Sequence, residues 1–159
     1  MPRLTALLHT HNDGLRVGRC LETLYPCDEI LIVDHGSTDQ TLRIAREYGA
    51  RTIAAAARSD SQKYLCGLNS TWILCLDARE SLTEALAASL FEWKSEPLAH
   101  PRAPFAIPLR EETGQGWTQN PVPQTRLVPS DWPQWEGFFP AAQSVVSELA
   151  GEILRFEFP

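Results

Sequence analysis

The segment Glu29-Ile30-Leu31-Ile32-Val33-Asp34 has no polar face. A near-continuous apolar run of this length suits a central parallel strand covered on both sides. Arg3–His9, Arg51–Ala55 and Trp72–Leu76 read as three more strands. Between them lie stretches with helical character. Leu15–Tyr25 groups Val17, Cys20, Leu21 and Leu24, and Pro26 stops it. Ser37-Thr38-Asp39-Gln40 reads as a helix start with Ser37 as N-cap, and Gly49 as the stop after Tyr48. Asp60–Leu68 is expected to be helical, capped near Ser59. Ser81-Leu82-Thr83-Glu84 is a second capping box, opening a helix to about Trp93. This alternation predicts an α/β fold: an open, mostly parallel sheet flanked by helices on both faces.

The style changes after Glu96. Residues 97–140 hold most of the prolines and three of the five tryptophans. Two strands are expected there, Phe105–Leu109 and Thr125–Val128, joined by the loop Thr113-Gly114-Gln115-Gly116. A helix over Gln143–Leu149 and an edge strand over Ile153–Phe158 complete the reading. At 159 residues the chain is read as one domain, a first half over 1–96 and a second over 97–159. A net charge of −6 argues against nucleic acid as a partner, since that footprint needs clustered Lys and Arg. No run approaches a membrane span and no leader precedes the first strand, so a cytoplasmic setting is expected. Peripheral contact with the inner face of a membrane stays open. Cys20, Cys27, Cys66 and Cys75 lack Cys-x-x-Cys spacing, which argues against zinc.

Ligands of an open parallel sheet bind beyond the carboxyl ends of its strands. Three polar clusters share that address: Thr10–Asp13, Asp34–Asp39 and Asp77–Glu80. Asp34 can accept hydrogen bonds from a ribose or base, and Gly36 permits close backbone approach. The alternative is a well-formed turn with helix-capping acids. In Asp77-Ala78-Arg79-Glu80, Arg79 can hold a phosphate through its planar fork of donors, or pair with Asp77 or Glu80 at the surface. His9 and His11 have no third ligand nearby and are read as locally hydrogen-bonded rather than metal-bound. Trp117, Trp132 and Trp135 either stack on a sugar or base or cover a core edge.

Taken together, the chain resembles glycosyltransferase family 2, with its GT-A fold. Leu7–Asp13, Gly18–Leu24, Asp28–Thr41 and Trp72–Ala78 carry the likeness, which covers about residues 4–93. The nearest branch resembles bacterial enzymes that add sugars to lipopolysaccharide cores and similar glycans. The resemblance implies sugar transfer from a nucleotide sugar, a UDP-sugar, to a glycan or lipid-linked acceptor. It places Thr10, Asn12, Asp13, Asp34, Ser37 and Asp39 around the nucleotide. It makes Asp77 the first acid of a Mg²⁺ or Mn²⁺ motif, with Arg79 where the second acid belongs. Arg126-Leu127 resembles an Arg-Leu pair found late in the catalytic domain. The candidates for the general base are Glu136 and Glu148, neither with the expected neighbours, and the acceptor side between Pro97 and Pro140 is short. The rival reading is a catalytically impaired relative that binds a nucleotide or a partner. A nucleotidyltransferase ranks third, because His11-Asn12-Asp13-Gly14 offers one glycine where a phosphate loop needs several.

Overall fold

Strand β1 (Leu4–Thr10) is buried along almost its whole length. It pairs in parallel with β2 (Glu29–Asp34) on one side and β4 (Trp72–Asp77) on the other. The computed structural model describes residues 2–56, 61–96, 103–144 and 146–159. β3 (Arg51–Ala54) extends the parallel set beyond β2. On the other side β9 (Gln124–Pro129) runs antiparallel to β4, β6 (Phe105–Ile107) antiparallel to β9, and β12 (Ser147–Glu148) parallel to β6. The order is β12-β6-β9-β4-β1-β2-β3. The chain leaves β1 toward β2 and β3, then returns to lay β4 against the opposite edge of β1. The strand order therefore reverses between β1 and β4, and a crevice opens at their carboxyl ends.

Alternate side chains of β1 feed two cores. Leu4, Ala6 and Leu8 join Val17 and Cys20 of α1 (Val17–Glu22), Ala45 of α2 (Thr41–Glu47) and Leu86 and Leu90 of α3 (Glu84–Ser95). Leu7 faces the other way, with Leu31, Val33, Ile73 and Cys75. Among the described residues, helical cover on that second face is one 3-10 turn, Ser61–Leu65. Trp132, Trp135 and Phe139 of the proline-rich loop complete it. Of the helix expected over Asp60–Leu68, Ser61–Leu65 forms this 3-10 turn, while Asp60 and the expected cap at Ser59 lie outside the described residues.

The second half departs from the sequence reading. Glu80–Leu82 is a strand, β5, and pairs antiparallel with β13 (Ile153–Arg155). This pairing takes Ser81 out of the cap: α3 starts two residues later, and Thr83 Oγ1 accepts from the Leu86 N–H at 3.2 Å. β13 is no edge strand, because β7 (Leu109–Thr113) lies along its other side. The loop Thr113–Gly116 turns β7 back into β8 (Gly116–Gln119), giving a four-stranded sheet in the order β5-β13-β7-β8. The segment Gln143–Leu149 contains β12 rather than a helix, since Ser147 and Glu148 pair with the open edge of β6. α2 begins at Thr41, not after Ser37, whose hydroxyl is engaged by Asp34.

The second sheet is locked to α3 at Gly151 and Glu152. Thr83 Oγ1 donates to the Glu152 carbonyl, and the Thr83 amide does the same at 3.1 Å. Gly151 has φ +98°, and a Cβ there would come within 2.3 Å of the Leu86 amide nitrogen. Gly151→Ala is expected to cost more than about 3 kcal/mol, through backbone strain and a clash that no side-chain rotation relieves. Urea denaturation measures it, and a loss below about 1 kcal/mol contradicts the packing described.

Candidate functional site

A cavity of about 340 Å³ opens at the reversal point, lined by His9, Thr10, Asp13, Leu76, Asp77 and Phe138 among others. It falls within the size range of small-ligand pockets. Register explains the gathering: Thr10 stands opposite Asp34 on β2, and His9 opposite Asp77 on β4.

Asp34 sits behind the cavity, not in its lining. Its Oδ1 accepts from Thr10 Oγ1 at 2.7 Å and from Ser37 Oγ at 2.6 Å, and its Oδ2 from the Ser37 amide at 2.9 Å. Burial alone would raise its carboxyl, but the bonds from Ser37 and Thr10 outweigh that and hold it below the usual range. The loop after β1 is then laced to the loop after β2. Ser37 Oγ accepts from the Asn12 amide, and Asn12 Oδ1 from the Thr38 amide, each at 2.8 Å. Asn12 takes a left-handed φ of +51° to do so, a conformation that asparagine tolerates. The Asp13 amide donates to Thr41 Oγ1, and the Gly14 amide to Asp39 Oδ2, both at 2.9 Å. A Cβ on Gly14 would sit 2.8 Å from Asp39 Oδ2, so a side chain there would push that carboxylate aside. Asn12, Ser37 and Asp39 therefore shape the rim, while Thr10 and Asp13 reach the cavity. Burial pushes the Asp13 carboxyl above its usual range, with Asp77 a lesser repulsive neighbour.

Arg79 folds back on Asp77. Its amide and Nε donate to Asp77 Oδ1 at 2.9 and 3.0 Å, and Nη2 reaches Oδ2 at 3.4 Å. Burial would raise Asp77, yet the Arg79 bonds and charge win and hold it below the carboxylate range. A divalent ion needs several hard oxygens at once. Both Asp77 oxygens are engaged, Asp39 is bound to Thr41 and Gly14, and no group of three potential ligands converges among the described residues. The donor set does not fit a two-carboxylate ion site; an ion at Asp77 would have to displace the guanidinium.

The turn itself is fixed from beneath by Glu80, which is fully buried. Glu80 Oε1 accepts from the Asp77 amide at 2.7 Å and from Arg126 Nη1 at 2.7 Å. Oε2 accepts from Arg126 Nη2 at 2.9 Å and Arg155 Nη2 at 3.0 Å. Arg126 also lies over the Phe139 ring, 4.0 Å from its centroid. A fork-to-fork pair suits a buried carboxylate. The sequence reading offers Glu80 as a surface partner of Arg79; the arginines that hold it in the interior come from β9 and β13, far along the chain.

The histidines form a further group. His9 Nε2 lies 2.9 Å from Ser61 Oγ, and Nδ1 lies 2.8 Å from His35 Nε2. Ser61 spends its one proton on the Phe138 carbonyl at 3.1 Å. His9 therefore carries its proton on Nε2, and its Nδ1 accepts from His35. The His9 ring stacks on Phe138 at 3.9 Å and 8°. This bonding matches the locally satisfied reading. Burial first, then the neighbouring His35, lowers His9 to about 4.

Neither expected base, Glu136 or Glu148, is among the residues that line the cavity. Glu136 is exposed in the hairpin of β10 (Trp135–Glu136) and β11 (Phe139–Pro140), two residues before the cavity-lining Phe138. Glu148 is exposed on edge strand β12, three strand spacings or about 14 Å from β4.

No protein-family model matches the chain. It is similar to an uncharacterized glycosyltransferase of Rickettsia felis, 32% identical over 92 residues, 54% of this chain and 32% of that one. A TPR repeat-containing protein of Synechococcus elongatus is 31% identical over 135 residues, 80% of this chain and 31% of its own. The chain thus spans about a third of the length of these curated relatives. Among solved structures it is similar to glucosyl-3-phosphoglycerate synthase from Mycobacterium tuberculosis, in complex with Mn²⁺, UDP and phosphoglyceric acid. There the TM-score is 0.53 at 16% identity, over 72% of this chain and 45% of that one. The fold is GT-A.

Two outcomes test this geometry. Arg126→Met leaves Glu80 buried with half its partners and should cost about 3–5 kcal/mol by urea denaturation; a change under about 1 kcal/mol contradicts the clamp. For His9, the folded value lies below the unfolded 6.5, so the unfolded state binds more protons in between. Its contribution is complete above 6.5 and falls as pH drops toward about 4. Asp13, raised by burial, slopes the opposite way near the acid end. The difference between wild type and His9→Gln isolates the histidine: melting temperatures should converge as pH falls through that window. Parallel curves refute the assignment.

Proposed function

We propose that this chain supplies the nucleotide-binding part of a transferase that moves a sugar from a UDP-sugar to a hydroxyl of a glycan or lipid-linked acceptor. The observation that carries this reading is the convergence of Thr10, Asp13 and Asp77 on one cavity at the strand reversal of a GT-A sheet. The solved relative binds UDP, which favours uridine as the nucleoside here. Thr10 and Asp13 meet the base and ribose, while Asp34 holds both loops in the receiving conformation. Arg79, anchored by Asp77, offers its remaining N–H groups to the diphosphate. A fixed guanidinium there stabilises the charge that grows on the leaving group. Glu136 is the better placed of the two candidate bases, since its hairpin also brings Phe138 to the cavity. It would take the proton of the attacking hydroxyl.

The test is UDP release from a panel of UDP-sugars, with chelator and with Mn²⁺. The expected result is turnover that survives the chelator. Arg79→Ala should lower kcat by about 100-fold or more, the usual loss of a donor aimed at developing charge. Glu136→Gln should lower kcat with KM little changed. No turnover with any donor sinks the transferase reading. Turnover abolished by chelation and restored by Mn²⁺ sinks the role given to Arg79.

A further inference from the structure

Of the three tryptophans in the loop-rich half, Trp132 and Trp135 lie against the core on the second face of the large sheet. Trp117 does not. It stands on edge strand β8 and is 42% exposed. Its ring is nonetheless held. It meets Phe156 edge to face, with 5.1 Å between centroids and 85° between planes. The Arg19 guanidinium lies over the Phe156 ring at 3.7 Å. The Phe156 backbone is fixed on both sides: its N–H donates to the Arg79 carbonyl at 3.0 Å, and its carbonyl accepts from Arg16 at 3.4 Å. Arg19, Phe156 and Trp117 thus form a stack that begins on α1 and ends in an exposed indole. The Phe156–Arg79 bond joins this stack directly to the turn that carries Asp77.

We infer that this stack is the acceptor wall of the transferase, with Trp117 the platform for a sugar ring of a glycan acceptor. The inference rests on the sugar-transfer reading, chooses the glycan over the lipid as what the acceptor site grips, and says where it sits. A pyranose has an apolar face of C–H groups and a rim of hydroxyls. An ordered indole takes such a face with little loss of side-chain freedom. Donors and acceptors for the rim stand around it: Arg16 just before α1, Arg19 on α1, and Glu112 on β7, which already accepts from the Phe158 amide at 3.2 Å. This mixture of signs, with the exposed Glu157 beside it, suits a neutral polyhydroxyl ligand better than an anionic lipid surface, which attracts uniform basic charge. The location also fits. An acceptor hydroxyl must reach the sugar held at the diphosphate, and the wall meets the backbone of the residue assigned to that diphosphate.

The full chain is screened on a printed oligosaccharide array. Bound glycans are then measured by calorimetry with wild type, Trp117→Ala and Trp117→Phe, and UDP is titrated into the same three proteins. Sedimentation with vesicles of phosphatidylcholine and phosphatidylglycerol in equal parts provides the lipid arm. The expected result is glycan binding weakened about tenfold or more by Trp117→Ala and largely kept by Trp117→Phe, with UDP affinity equal in all three. Equal glycan binding in Trp117→Ala overturns the platform. So does vesicle binding that requires Trp117 while no glycan binds. UDP binding with no glycan retained overturns the acceptor wall alone. Glycan binding through Trp117 without UDP binding overturns the sugar-transfer reading and the acceptor role with it.

Discussion

One buried carboxylate joins the parts of this molecule. Glu80 receives Arg126 from the large sheet and Arg155 from the small one, and it receives the amide of Asp77 at the cavity. Arg126 also donates to the Cys75 carbonyl on β4 and lies under Phe139 of the hairpin. Arg155 passes the network on to Glu111 of β7 at 2.9 Å. Two sheets, one hairpin and the Asp77–Arg79 turn are therefore oriented by one residue. Such a group adds little net stability over an apolar core of the same shape, because its desolvation offsets its attraction. Its value is geometric. Apolar side chains in that place would fill the volume without fixing where the turn points.

The strands around β1 were legible because they are buried on both faces, and a short apolar run bounded by turn residues has few other readings. The clustering of Thr10–Asp13, Asp34 and Asp77 at one end followed from the parallel arrangement. The second sheet was not legible. β5 and β13 are short, lie far apart in sequence and gain meaning only from each other. Ser81 and Ser37 both look like caps in isolation, but pairing took one into a strand and a hydrogen bond took the other to Asp34. Local signals of that kind lose to long-range contacts whenever the two compete. The role of Glu80 was hidden for the same reason, since both of its arginines come from the half of the chain where sequence patterning is weakest.

The site combines rigid and engaged elements. The lacing between the two rim loops satisfies the Asn12, Asp13, Gly14 and Thr38 amides within the protein. A ligand would meet loops that are already ordered, which lowers the entropic cost of binding. Asp77, by contrast, spends both oxygens on Arg79. The chemistry of the site follows from that pair: a carboxylate that steadies a cation, in the place where the resemblance calls for two carboxylates around an ion.

The most direct measurement is a crystal structure of the chain with UDP bound in the presence of chelator. The account predicts density for the nucleotide in the cavity between β1 and β4, the uridine against Thr10 and Asp13, and the diphosphate on Arg79 with its pairing to Asp77 intact. Nucleotide bound elsewhere, or bound only when Mn²⁺ has displaced Arg79 from Asp77, would contradict it.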